Sequence, residues 1–141
     1  QILNVNMKGA NKEQQMGDVA RRLKNLAKEL DIWIIALSQL NRDNMNPVPS
    51  LARLRDSGQI AEAADVVMLV YRPEVKGKSY PGDFSNVDTR GTAMIDIAKG
   101  RNIGLLKFIC GFNACTTCFY ELDSVPVLSY NMSNEEDDPA F

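Results

Sequence analysis

Six consecutive apolar residues, Ile32-Trp33-Ile34-Ile35-Ala36-Leu37, leave this chain few ways to fold. The run is too short for a helix and offers no polar face to water. It therefore reads as a strand covered on both sides, the pattern of a central strand in a parallel sheet. Just before it, Met16, Val19, Ala20, Leu23, Leu26, Ala27 and Leu30 recur at three- and four-residue steps, with Arg21, Arg22, Lys24, Asn25, Lys28 and Glu29 on the other side. This spacing predicts an amphipathic helix, opened by Asn11 and Gln14 as a capping pair. After a loop over 41–50 and a helical turn through Gln59, Ile60 and Glu62, Asp65-Val66-Val67-Met68-Leu69-Val70-Tyr71 repeats the buried-strand pattern. Helix, strand, loop-helix and strand in succession predict an α/β fold with a mostly parallel sheet.

The second half changes character. Residues 72–91 are rich in Gly, Pro, Ser, Asp and Lys and read as a mobile loop. Thr92 to Ala98 alternates loosely and leads into the charged turn Lys99-Gly100-Arg101-Asn102-Ile103-Gly104. Leu105 to Cys110 and Cys115 to Leu122 predict two strands joined through Gly111-Phe112-Asn113-Ala114, an antiparallel hairpin added to the parallel core. Residues 1–122 are thus expected to form the folded part. Residues 123–141, ending near Glu135-Glu136-Asp137-Asp138, are expected to be an acidic, disordered tail.

Composition narrows the function classes. A chain of 141 residues suits one domain rather than two, and 45% hydrophobic residues can supply a core. No apolar run reaches the length of a membrane span and no leader pattern opens the sequence, so a cytoplasmic protein without membrane partners is expected. Residues 1–120 carry all 16 Lys and Arg against 12 acids, whereas residues 121–141 carry 6 acids and no base. That mild asymmetry is compatible with a polyanionic partner and does not require one. Histidine is absent, which removes the usual general base, the Ser/His and Cys/His nucleophile pairs and the commonest metal ligand. Cys110, Cys115 and Cys118 match part of an iron–sulfur spacing but lack a fourth ligand, so no metal is expected. They read as small buried hydrophobes on the terminal strands.

Three segments carry a resemblance: Ile35-Ala36-Leu37-Ser38-Gln39-Leu40-Asn41-Arg42; Leu54-Arg55-Asp56-Ser57-Gly58-Gln59-Ile60 followed by Ala64-Asp65; and Ala98-Lys99-Gly100-Arg101-Asn102. In this order and spacing they resemble DnaB-type bacterial replicative DNA helicases over about residues 1–122. The resemblance implies a partial RecA-like P-loop ATPase core, with antiparallel hairpin strands added at the C-terminal side. It implies a homohexameric ring that couples ATP hydrolysis to translocation on single-stranded DNA and duplex unwinding during replication. ATP and Mg2+ are the implied cofactors, with a primase and a helicase loader as further partners. No G-x-x-x-x-G-K-[ST] occurs in the sequence. The family's phosphate loop and magnesium-organising acid are expected upstream of Gln1, so this stretch alone is expected to bind no cofactor tightly and to be inactive. The alternatives are another RecA-like ATPase, of recombinase or clock type, and a non-catalytic DNA-binding or ring-interaction module.

The resemblance also implies roles. Gln39, at the carboxyl end of a strand, looks like the γ-phosphate sensor, since an amide there can donate to a phosphate oxygen and lose that partner after hydrolysis. Lys99 and Arg101 resemble the basic finger pair that reaches the neighbouring subunit's ATP, where a cation stabilises charge on the transferring phosphoryl group. Two residues apart on a strand, they are expected to share a face. Gly100 stands where the family more often has a larger polar residue, and is expected to loosen the turn. Arg55, Asp56 and Gly58 match the central-channel DNA loop: Arg55 for a phosphate, Gly58 for close backbone approach, and Asp56 to orient Arg55 or a loop amide. No aromatics interleave that segment, so it is expected to track the backbone rather than stack on bases.

Overall fold

The computed structural model describes residues 12–41, 46–54, 58–123 and 128–130. It divides the chain into two compact units, residues 1–65 and 66–141.

In the first unit, Lys12–Leu30 forms helix α1 and Gly58–Ala63 a short helix α2, with a single 3-10 turn at Leu51–Arg53. The proposed Asn11 end of the capping pair lies outside the described residues. Helices α1 and α2 pack together at Gly17, which is buried; a side chain there would run into that of Gln59. Lys24 ties the pair more firmly. Its ammonium donates to the Ala63 carbonyl at 3.0 Å and meets the Asp65 carboxylate at 2.7 Å. A cation thereby satisfies a carbonyl left open at a helix end. Helix α1 stops by reversal: Asp31 takes φ 51°, and the Ile32 amide donates back to the Ala27 carbonyl at 3.0 Å. This is a Schellman closure in which aspartate fills the place glycine usually takes.

The chain then departs from expectation. Residues 32–41 have no strand partner among the described residues, and Trp33, Ile35 and Leu37 are 97%, 86% and 96% exposed. An apolar run specifies burial but not the neighbour that would supply its hydrogen-bond ladder. The buried central strand anticipated at 32–37 is therefore not formed here.

The second unit is a five-stranded sheet of β1 (Val66–Tyr71), β2 (Thr92–Gly100), β3 (Leu105–Asn113), β4 (Cys118–Tyr120) and β5 (Leu128–Tyr130). Its order is β1-β2-β3-β4 with β5 also on β3, and every described pairing is antiparallel. The expected mostly parallel sheet is corrected on this point. Parallel neighbours need a crossover, usually a helix, whereas residues 72–91 merely reverse the chain through 3-10 turns at Pro73–Lys76 and Gly82–Phe84. That connection is also no loose loop. Pro73, Tyr80 and Phe84 are buried, the Tyr80 hydroxyl lies 2.8 Å from that of Thr92, and the Tyr80 ring meets Tyr71 edge-on with centroids 6.3 Å apart.

The hairpin boundaries shift as well. Strand β3 runs on to Asn113, and the turn is 114–117, where the Asn113 side-chain oxygen accepts the amides of Cys115 and Thr116 at 2.9 and 3.2 Å. Of the three cysteines only Cys110 is buried; Cys115 and Cys118 are exposed, contrary to their reading as core residues. Strand β5 falls inside the segment expected as tail, pairing Leu128, Ser129 and Tyr130 with Lys107, Leu106 and Leu105. Sheet pairing therefore continues past residue 122.

Candidate functional site

The basic turn between β2 and β3 is shaped by an irregularity in the β1–β2 ladder. Met68 pairs with Ile97 but Val67 pairs with Lys99, leaving Ala98 as an extra residue. Such a bulge re-aims the side chains that follow it, and bulges recur beside active sites. Without it, Lys99 would share the face of Ile97. With it, Lys99 lies opposite Val67, on the face that carries Leu69 and its partner Asp96. On that face Asp96, 9% exposed, meets the Lys107 ammonium across β3 at 3.3 Å.

Gly100 closes strand β2 and is buried. An added Cβ would come within 2.5 Å of the Ile103 side chain and 2.6 Å of its carbonyl oxygen. Glycine therefore tightens this turn by letting Ile103 fold back over it, the opposite of the expected loosening. Arg101 follows in the bend and is exposed, while Lys99 is half-buried on the strand. The alternation that was to align both side chains ends at Gly100, so Lys99 stands on the strand and Arg101 in the bend after it, instead of both on one strand face. Ile97, Ile103, Gly104, Leu105 and Leu106 line an open apolar hollow of about 300 Å³.

The other candidates belong to the first unit. Gln39 is exposed in the segment after α1 that forms neither helix nor strand, not at the end of a formed strand. Two residues later, Asn41 is held by Arg53. The Asn41 carbonyl accepts Arg53 Nε at 3.2 Å and Nη2 at 2.6 Å, and the Asn41 amide donates to the Arg53 carbonyl at 3.1 Å. Arg53 Nη1 also donates to the carbonyls of Asn46, Pro47 and Val48 at 3.3, 3.1 and 3.1 Å. Gly58 is the first residue of α2, directly after the segment that holds Arg55 and Asp56. Arg55 and Asp56 lie outside the described residues. Leu54, buried, anchors the chain just before them.

Sequence reasoning did not find the bulge at Ala98 or the Arg53 clamp. A bulge leaves no compositional mark, and the acceptors of Arg53 are backbone carbonyls, invisible in residue types.

Elsewhere the electrostatics are structural. Arg90 hydrogen-bonds Asp88 and holds its carboxyl below the usual range, and Asp88 in turn raises Arg90. Burial pushes Tyr71, Tyr80 and the Cys110 thiol upward. Amide and cationic side chains are each able to donate to phosphate oxygens. Among the described residues no three His, Cys, Asp or Glu converge as a metal ligand set.

Residues 1–121 match the family model of the DnaB-like helicase C terminal domain. The chain belongs to that family. Among the DnaB-like relatives, a probable plasmid replicative DNA helicase of Chlamydia psittaci is 34% identical over 122 residues, covering 84% of this chain and 25% of the relative. The replicative DNA helicase DnaB of Buchnera aphidicola subsp. Acyrthosiphon pisum is 37% identical over 105 residues, 72% of this chain and 21% of that protein. Of solved DnaB-like structures, one described as a DnaB-like replicative helicase and its interactions with primase superposes with a TM-score of 0.71 at 28% identity, covering 86% of this chain and 29% of that one. A second solved structure, described as an ATPase domain, gives a TM-score of 0.69 at 27% identity, covering 86% of this chain and 41% of that one. The chain is therefore an α/β member of the DnaB-like family and spans about a quarter of the length of the curated relatives it matches.

Proposed function

We propose that this chain is part of a ring-shaped replicative DNA helicase, in which Lys99 and Arg101 reach the ATP held by an adjacent subunit. The observation that carries this is the turn itself: a bulge re-aims Lys99, and a glycine that admits no side chain folds the bend carrying Arg101 beside it. Developing charge on a transferring phosphoryl group is best met by fixed cations, which need no reorganisation at the moment of reaction. Arginine adds a planar fork that keeps its charge and bonds two oxygens at once.

In this reading Gln39 senses the γ-phosphate, and Arg55, Asp56 and Gly58 belong to the loop that follows the single-stranded DNA backbone. ATP and Mg2+ are bound by the whole protein, with phosphate-loop and magnesium-organising residues supplied outside this sequence, and this stretch alone does not hydrolyse ATP. Residues 1–122 form part of the motor domain, and the apolar run 32–37 is a parallel strand in the fuller sheet. The assembly is a cytoplasmic homohexamer, served by a primase and a loader. Support for these points comes from family membership and from the residue types at the matching positions. A primase is named with one of the similar structures.

The test is Arg101→Ala in the full-length protein. Trans fingers contribute on the order of a thousandfold or more to turnover, so ATPase activity is expected to fall by about that factor while ATP affinity stays close to wild type. Unchanged turnover removes the assignment.

A further inference from the structure

The Arg53 side chain donates to four backbone carbonyls, those of Asn41, Asn46, Pro47 and Val48, yet none of the roles above uses it. All four lie in the chain that follows Gln39. Two bonds from the guanidinium and one returned to its own carbonyl join Arg53 to Asn41 in both directions, at 2.6 to 3.2 Å. Asn41 stands two residues after Gln39, and Arg53 two residues before Arg55. The clamp therefore bridges the chain between the amide proposed to sense phosphate and the cation proposed to hold DNA.

We infer that Arg53 is a positioning residue that couples the nucleotide state at Gln39 to the DNA segment at Arg55. The inference rests on the roles proposed above for those two residues. Only Leu40 separates Gln39 from Asn41 in the chain, and a link bonded from both ends moves as one piece. Release of the γ-phosphate by Gln39 shifts Asn41, and Asn41 carries Arg53, which precedes Arg55 by two residues, with it. Coupling of this kind needs a contiguous physical element that both sites bias, and the clamp supplies one. The guanidinium is essential because its five N–H groups lie in one fixed plane. An ammonium on a flexible stem cannot span the carbonyls of Asn41 and Val48 together.

The experiment uses full-length rings carrying Arg53→Lys or Arg53→Gln. Affinity for fluorescent single-stranded oligonucleotide is measured with a non-hydrolysable ATP analogue and with ADP, beside ATPase rates with and without DNA. Coupled sites generally change each other's affinity by about 5- to 150-fold, and here the ratio of the two DNA affinities is expected to collapse to within about twofold. Basal ATPase and nucleotide affinity stay near wild type. Because Arg53→Lys retains the positive charge, its failure to couple assigns the effect to the guanidinium fork rather than to attraction for DNA. A wild-type ratio in both variants overturns the inference. So does a loss of basal ATPase together with a lowered melting temperature, which makes Arg53 a loop fastener only. Gln39→Ala and Arg55→Ala run alongside. If Gln39→Ala hydrolyses ATP normally or Arg55→Ala binds DNA like wild type, the proposed site roles fall and the inference with them. If both are impaired while the Arg53 variants still couple, the inference falls alone.

Discussion

Gly100 keeps a hydrogen atom where other residues carry a Cβ, and the basic turn depends on that difference. The nearest obstruction includes the Ile103 carbonyl oxygen, 2.6 Å from an added Cβ, and backbone cannot swing aside as the tip of a side chain can. Gly100→Ala is therefore expected to force the turn open at a cost of about 1–3 kcal/mol, typical of overpacking. Chemical denaturation checks the cost, and in the full-length protein ATPase should drop as Lys99 and Arg101 lose their setting. A neutral substitution would show that the turn relaxes freely. The candidate residues were chosen on type and segment, an amide and two cations, and the sequence alone carries that choice. The aim of Lys99 was not. It depends on Ala98 being left over from the ladder, a consequence of how β1 and β2 align rather than of what either contains.

Among the elements, the connection over residues 72–91 was the least legible. Its Gly, Pro, Ser and Lys content masks Pro73, Tyr80 and Phe84, which seat it on the sheet. Seating them has an electrostatic consequence, since burial raises Tyr71 and Tyr80 above the ordinary tyrosine value of 10.0. Their neutral forms are favoured in the folded state, so the associated stability is complete below pH 10 and is lost as pH climbs through the raised folded values. Tyr71 also buries a hydroxyl that has no hydrogen-bond partner among the described residues. Removing an unsatisfied buried donor recovers its desolvation cost. Tyr71→Phe is thus expected to be neutral or stabilising by about 1 kcal/mol near pH 7, and to flatten the alkaline decline of the melting temperature. A clear loss at neutral pH would mean the hydroxyl has a partner. The amphipathic helix α1 was readable because its apolar period is local. The strand direction of the sheet was not, because it depends on whether residues 72–91 cross over or turn back.

Across the whole molecule, the run at 32–37 separates what apolar composition encodes from what the described residues pair. Six apolar residues encode burial, yet Trp33, Ile35 and Leu37 stand in water. The α/β class was legible, and so was the family, since segments 35–42, 54–65 and 98–102 keep their order and spacing. Whether the exposed run pairs was not legible, because pairing is non-local. Trp33 is the sole tryptophan and reports on this directly. In the 141-residue chain acrylamide should quench its fluorescence about as freely as it quenches free indole, whereas in the full-length protein the proposed strand should shield it. Equal, unhindered quenching in both would remove the strand from the proposal.

If the cations of one subunit act on the nucleotide of the next, two differently damaged subunits should repair each other in a shared ring. Full-length subunits carrying Arg101→Ala are mixed with full-length subunits whose phosphate loop has been disabled, each being inactive alone. Mixed rings are expected to recover ATPase activity, because intact nucleotide sites of the first kind then face intact Arg101 side chains of the second. Mixed rings as inactive as either parent would contradict action across the subunit boundary.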